Sequence, residues 1–484
     1  MSRALGFLRS VAIDFVLTAV AMAAPRTPVP AIESKPHPCR IDGVPAEVLC
    51  ATYPVWEDRD RAAGRRIGLN IVVLRSPSAK KSPDPVFIFD GGPGAAATEL
   101  ASAYDFLRPL LVHRDVILID QRGTGRSNPL DCDIYGDPED LQRVVSSAFP
   151  PEAFRACRTR LEKIADLRMY TTAPATDDID DIRKWLGYGK INIWGGSYGT
   201  VSAQVYLRRH GANVRSAVLA SVAPVDELIP LHHAWAGQQA VDQIFAKCYS
   251  DAACRSAYPH LRQDFQTVFD RVRKGVDVEV HDQSGRTVRV HPSVSGFADA
   301  IRHFLYYDDG ASFPAKIHHA AHGDLAPILE IAIDAQIGLA RGLSMGMYVS
   351  VTCAEDVPFI DDETLARETA NTFLGDLRVQ EQRAACKLWP RGPVPPDVHE
   401  LVHTGVPVLL LSGARDSVTP PAFAERTAKY MTNHLHLIFP ESSHGNFGAC
   451  GQKIQADFFD RGSTQGLDVS CASRQTPTKF VLSP

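Results

Sequence analysis

One run constrains this chain more than any other: Ile191-Asn192-Ile193-Trp194-Gly195-Gly196-Ser197-Tyr198-Gly199-Thr200. An apolar, strand-like stretch enters a Gly-x-Ser-x-Gly turn, and a helical stretch leaves it. A serine on so tight a turn projects its hydroxyl above the sheet. Glycines flank it because side chains there would collide with strand and helix. The helix N-terminus that follows favours developing negative charge. The pentapeptide alone is expected about 0.2 times by chance in such a chain, so its strand-turn-helix setting carries the reading. The alternative is a glycine-rich turn with an incidental serine.

A nucleophilic serine needs a base and an orienting carboxylate, and on this kind of turn they follow in the order Ser, Asp/Glu, His. The strand Val406–Leu411 leads into Ser412-Gly413-Ala414-Arg415-Asp416. Asp416 is therefore expected at the C-terminal sheet edge, where catalytic groups gather; its alternative role is turn formation before Thr419-Pro420. Of the later histidines, His434 and His436 fall inside the strand His434–Phe439 and share one face. His444 falls on the loop beyond it and is the expected general base. Two backbone donors must hold the oxyanion. One is the amide of Tyr198. The other comes from Asp90-Gly91-Gly92-Pro93-Gly94 after the strand Val86–Phe89. Pro93 has no N–H, so Gly91 or Gly92 donates, and Gly92 is favoured.

The 484 residues suffice for several domains or one large domain with an insertion. Hydrophobic residues at 45% and charged residues at 22% are ordinary globular usage. The net charge of −5 excludes a generally basic nucleic-acid binder. Residues 39–224 alternate short apolar runs (Ile67–Arg75, Val86–Phe89, Val116–Ile119, Ile191–Trp194, Val214–Ala220) with helical stretches such as Thr176–Leu186 and Thr200–His210. That alternation predicts a doubly wound, mostly parallel α/β sheet. Residues 225–402 read as a mainly helical insertion, with helices over His232–Cys248, Pro259–Arg273 and Glu363–Phe373 and one hairpin, Val276–Val280 with Thr287–Val290. The α/β pattern resumes over 403–484.

The N-terminus reads as an export signal. Arg3 and Arg9 precede the apolar stretch Val11–Ala23, and Ala21-Met22-Ala23 fits a cleavage site, so residues 1–23 are expected to be removed. Residues 24–38 are expected to be a loose Pro-rich leader. No later segment is long and apolar enough to span a bilayer, so no stable membrane insertion is expected after cleavage. The ten cysteines are even in number and lack zinc-site spacing. In an exported chain all can pair. Ten cysteines allow roughly 900 connectivities, among which pairing neighbours in chain order closes five local loops.

The segments Asp90–Gly94, Asp120-Gln121-Arg122-Gly123-Thr124-Gly125-Arg126-Ser127, Gly195–Thr200 and Gly413–Pro420 occur together in one order. In this they resemble the prolyl iminopeptidase and secreted tripeptidyl aminopeptidase branch of the α/β-hydrolases. The resemblance covers roughly 39–224 and 403–484. It is closer on the tripeptidyl side, because prolyl iminopeptidases usually carry His at the position of Asp90 and Trp at that of Tyr198. It implies an α/β-hydrolase sheet with a helical cap, and a triad of Ser197, Asp416 and His444. It also implies that Asp120–Ser127 is a structural loop beside the site; by charge alone, Asp120 and Arg122 form an ion pair. Acidic residues of the family's cap hold the substrate's free amine. By position that role falls to Glu355, then Asp356, in Val351-Thr352-Cys353-Ala354-Glu355-Asp356. The expected function is an exported, periplasmic or extracellular, serine exopeptidase acting on peptides with free N-termini and calling for no metal or organic cofactor. The rivals are a carboxylesterase with the same triad, and a catalytically silent binding protein of the same fold. The sequence leaves open the number of residues released, any proline preference and the oligomeric state.

Overall fold

A computed structural model describes residues 35–136, 139–307 and 310–482. The expected signal peptide lies outside these residues, as does most of the expected leader. The leader's end is not loose: His37 and Pro38 enter a short edge strand.

The strands in chain order are β1 (His37–Cys39), β2 (Val48–Trp56), β3 (Arg66–Leu74), β4 (Val86–Phe89), β5 (Val116–Ile119), β6 (Ile191–Gly196), β7 (Val214–Ala220), β8 (Val278–His281), β9 (Thr287–Val290), β10 (Val408–Gly413) and β11 (His434–Phe439). Nine of them build one sheet in the order β1-β2-β3-β5-β4-β6-β7-β10-β11. β1, β2 and β3 run antiparallel to their neighbours, and everything from β5 to β11 is parallel. β4, β5 and β10 are buried at every position because helices cover both faces. The period-two alternation divides their side chains. Phe87, Phe89, Ile193, Val408 and Leu410 join one core beneath the helices Thr172–Trp185 and Tyr198–His210. Val86, Ile88, Trp194, Leu409 and Leu411 join the core on the opposite face, with Phe458 of the helix Gly448–Arg461. Trp194 keeps its indole satisfied there by donating to Gln455 Oε1 at 2.6 Å.

β2 escapes the sequence reading because Pro54 interrupts it. β1 pairs with β2 only through Cys50, so the outer edge of β2 beyond that point has no strand partner. Proline is tolerated on such an edge. The inner edge pairs with β3 from Leu49↔Val73 to Trp56↔Arg66.

Between β7 and β10 the chain is mainly helical, with the single hairpin β8–β9. His233–Ser250 and Leu261–Lys274 match the expected helices closely; Asp362–Thr369 ends short of Phe373. The stretch between β5 and β6 also serves this layer, which the sequence did not announce. The residues flanking its helices Leu141–Val144 and Pro151–Leu161 meet the insertion through Gln336 Nε2 donating to Tyr135 OH (2.7 Å), Ser293 Oγ to Ser146 O (2.7 Å) and Ser147 Oγ to Glu381 Oε2 (2.8 Å).

Five disulfides join neighbours in chain order, as expected: Cys39–Cys50, Cys132–Cys157, Cys248–Cys254, Cys353–Cys386 and Cys450–Cys471. Cys353–Cys386 clamps the helix Met345–Glu355 to the helix Leu377–Cys386 across 33 residues of chain. Replacing both cysteines by serine is predicted to lower stability by about 2–4 kcal/mol, read as a drop in the thermal midpoint. An unchanged midpoint would mean that packing alone fixes the two helices.

Candidate active site

β6 delivers the chain to Ser197 in a left-handed conformation, φ 54° and ψ −127°. Such a backbone costs a non-glycine residue about 1–3 kcal/mol and persists only where its surroundings impose it. Here they do. A Cβ on Gly199 would lie 1.9 Å from Phe89 O, and one on Gly195 would lie 2.6 Å from Gly199 O. The Ser197 N–H donates to Ala220 O at 3.0 Å. Thr200 Oγ1 accepts from the Ala223 N–H at 2.9 Å and ties the helix start to the loop after β7.

Asp416 leaves β10 and is almost fully buried. His444 Nδ1 lies 2.8 Å from its Oδ2 and 3.0 Å from its Oδ1. The carboxylate also accepts from the backbone N–H of Val418 (2.9 Å) and Thr419 (2.8 Å) and from Thr419 Oγ1 (2.7 Å). Asp416 thus forms the turn as well as the His444 contact. Burial pushes its carboxyl up, but the facing His444 and the Thr419 donors outweigh burial and hold it below its ordinary range. With Nδ1 engaged by the carboxylate, Nε2 is the nitrogen left to exchange a proton. Sequence reasoning missed Thr419, whose hydroxyl also lies 3.1 Å from His444 Nδ1; the Ser417-Val418-Thr419-Pro420 turn was its only signal.

The serine and histidine loops hang from the same dipeptide at the end of β7. Ala220 O holds the Ser197 N–H, and Ser221 Oγ accepts from the N–H of Gly445, next to His444, at 2.8 Å. Among the described residues no hydrogen bond joins Ser197 Oγ to His444; such bonds commonly tighten only with substrate bound. The ring of Tyr306, from the insertion, packs against the His444 imidazole, with centroids 4.4 Å apart and planes tilted by 32°. His434 and His436 take no part: His434 Nδ1 bonds to Met431 O, and His436 Nε2 to Ser412 Oγ.

After β4, the Gly91 N–H donates to Asp90 Oδ1 at 2.7 Å. The Gly92 N–H meets no acceptor among the described residues, and neither does the Tyr198 N–H at the first turn of its helix. Gly92 has φ 108° and precedes Pro93 through a cis bond. A Cβ on Gly91 would sit 3.0 Å from Ser197 Cβ, so this loop abuts the serine. The insertion reaches the same loop, where the Ser344 N–H donates to Gly94 O at 2.9 Å.

Asp120 and Arg122, whose charges suggested an ion pair, do not pair with each other. Asp120 accepts from Asn70 Nδ2, Thr98 N and Oγ1, and Arg126 N. Arg122 is buried against Asp178, 2.7 Å from Nε to Oδ2, and donates to the carbonyls of Glu57 and Met169. The segment is a scaffold for several loops.

Glu355 and Asp356 are buried, 6% and 8% exposed, and do not form a solvated acidic turn. They line a cavity with Thr172, Tyr198 and Glu227. Glu355 Oε1 accepts from the Thr172 N–H and Oε2 from Thr172 Oγ1, each at 2.6 Å. Thr172 Oγ1 is also 2.6 Å from the Tyr198 hydroxyl. One hydrogen-bonded chain therefore runs from the residue after Ser197 to the acid. Burial pushes the Glu355 carboxyl up to about 7, against the pull of the Thr172 donors. Burial and the adjacent Glu355 and Glu227 push Asp356 well above the usual carboxylate range. Glu227 is partnered by His232 Nδ1 at 2.8 Å. Burial lowers His232, but Glu227 outweighs that and keeps its affinity for a proton raised. Sequence reasoning also missed Glu227 and Thr172. Glu227 had one signal, its place just past the C-terminal end of β7.

The grouping able to hold a metal among the described residues, Asp264, His318 and His322, lies on helices of the insertion, not on these loops.

Residues 84–276 match the α/β hydrolase fold family, and residues 371–471 match the family described as TAP-like protein. A tripeptidyl aminopeptidase of Streptomyces coelicolor is 24% identical over 91% of this chain and 86% of its own length. The serine protease Hip1 of Mycobacterium tuberculosis is 26% identical over 84% of each chain. A proline iminopeptidase of Neisseria gonorrhoeae is 29% identical over 29% of this chain and 34% of its own length. With the sheet order and the turn at Ser197, these matches identify the chain as a serine-peptidase-like member of the α/β-hydrolases, with a TAP-like C-terminal portion.

Proposed function

We propose that the protein is an exported serine aminopeptidase that releases N-terminal residues or short peptides. Ser197 Oγ attacks the scissile carbonyl carbon, and its proton passes to His444 Nε2. Asp416 holds the imidazole through Nδ1 and stabilises the imidazolium. The Gly92 and Tyr198 N–H groups receive the oxyanion. His444 then gives its proton to the departing amine as the C–N bond breaks. Water repeats the sequence on the acyl-enzyme and frees the acid product and Ser197. The five disulfides and the relatives' names support the exported peptidase reading.

The observation that carries aminopeptidase over esterase is the buried acidic group Glu227, Glu355 and Asp356, wired to the serine's neighbour through Thr172. The cations beside these carboxyls are already engaged, His232 by Glu227, Arg209 by Asp177 and Arg208 by Asp397, so Glu355 and Asp356 have no ion-pair partner among the described residues and leave a desolvated demand for positive charge. A substrate's α-ammonium answers it, and an uncharged ester does not. Residues 225–402 act as a cap. Tyr306 beside His444 and Leu343-Ser344 against the Asp90–Gly94 loop set this cap next to Ser197, which supports cleavage at chain termini over cleavage within a protein.

Four outcomes test this. Ser197→Ala should lower kcat by about 10⁴–10⁶ while leaving the thermal midpoint near that of the parent; near-normal turnover would remove Ser197 from the reaction. N-acetylation of a tripeptidyl anilide should cost about a hundredfold in kcat/KM, the order of a lost desolvated charge pair. An esterase would accept both forms.

The pH profile carries its own sign. Glu355 holds its proton below about 7, so attraction for a free-amine substrate should grow as pH rises through 7. It should fade as the α-ammonium itself deprotonates near about 8. In Glu355→Gln the KM part of the acid limb should vanish; its persistence would assign that limb elsewhere. Finally, Thr419→Val removes a hydroxyl donor to Asp416 and should lower kcat about tenfold with little change in KM. Unaltered kcat would make Thr419 a turn residue only.

A further inference from the structure

The helix Phe313–Ala321 ends in His318-His319-Ala320-Ala321-His322, with His322 closing its last turn. His318 and His322 are four residues apart and share a face; their ring centroids lie 4.3 Å apart. Asp264 meets them from the adjacent helix Leu261–Lys274. One ligand atom from each of the three lies within 4.8 Å of the other two.

A second observation is independent of this clustering. His322 Nδ1 lies 2.8 Å from His318 O. A carbonyl oxygen only accepts, so Nδ1 carries the proton and Nε2 carries the lone pair. His318 Nδ1 lies 2.8 Å from Asp264 Oδ2. A carboxylate likewise accepts, so Nε2 carries the His318 lone pair. Metal-binding histidines are oriented in this way, with one nitrogen tied to a carboxylate or carbonyl and the other presented to the ion. Asp264 is 7% exposed, and a nearby cation would offset the cost of its burial. The Arg271 guanidinium is spent on the carbonyls of Ala320 and Ala321 at the negative helix end.

We propose that the insertion carries a site for a divalent transition ion of the zinc class, with His318 and His322 as imidazole ligands and Asp264 as the carboxylate that orients His318 and balances the charge. Two nitrogen donors select Zn²⁺, Ni²⁺ or Cu²⁺ over the oxygen-seeking Mg²⁺ and Ca²⁺. The ion would clip the last turn of one helix, and the His318–Asp264 bond ties that turn to the adjacent helix. The site lies outside the residues assigned to peptide cleavage, so it stands or falls independently of that assignment.

Titration calorimetry of the full, tag-free, chelator-stripped protein with Zn²⁺ tests it. The expected result is one saturable ion per chain, with a higher thermal midpoint in Zn²⁺ than in chelator and no response to Mg²⁺. His322→Ala, at an exposed position, should abolish binding while the variant keeps the parent's thermal midpoint in chelator, and His318→Ala should abolish binding as well. Asp264→Asn should weaken binding about 10–100-fold, and His319→Ala should bind as the parent does. The absence of saturable Zn²⁺ binding would overturn the proposal, and so would binding that survives His322→Ala.

Discussion

The helix that follows Ser197 begins in direct contact with the backbone of β4. Gly199 packs so close to the Phe89 carbonyl that a methyl group would sit inside the oxygen's radius. That approach bends the chain sharply enough to force Ser197 into positive φ, turning its hydroxyl out over the sheet edge and its N–H back to Ala220. It also brings the Asp90–Gly94 loop against the serine, so the glycine loop and the hydroxyl are set by one contact. β7 serves as the common anchor: its last residue holds the serine turn, and the residue after it holds the histidine loop. Packing of two strand ends thus decides the positions of groups more than two hundred residues apart in the chain.

The electrostatics are built around a deliberate imbalance. Asp416 is buried but surrounded by donors, so it stays ionised where a carboxylate is needed. Glu355 and Asp356 are also buried, with fewer donors, so burial raises their hold on a proton. Tyr198 connects the two regions, because it follows Ser197 in the chain and its hydroxyl reaches Thr172. Within the insertion, Cys353–Cys386 braces the helix that carries Glu355, and Ser344 docks the insertion on the glycine loop through its N–H to Gly94 O.

Much of this was legible because it is local. The runs Val86–Phe89, Val116–Ile119 and Val214–Ala220 are uninterrupted apolar stretches with turn residues at each end, and they are strands over those same residues. The loops bearing Ser197, Asp416 and His444 follow strand ends, so their common edge followed from the alternation of strand and helix. What stayed hidden depends on contacts distant in sequence. β2 is a strand because Pro54 falls on an edge that no other strand occupies. Arg122 prefers Asp178, fifty-six residues on, to its near neighbour Asp120. Thr172 looks like any helix-start threonine until Tyr198 and Glu355 close on it, and Glu227 looks solvated until His232 and Asp356 bury it.

Covalent labelling with a fluorophosphonate, mapped by peptide mass spectrometry, bears most directly on the claim that three separate loops form one catalytic unit. The adduct should fall on the peptide containing Ser197, and His444→Ala should slow its formation by orders of magnitude. An adduct on another serine, or a labelling rate indifferent to His444, would contradict the account.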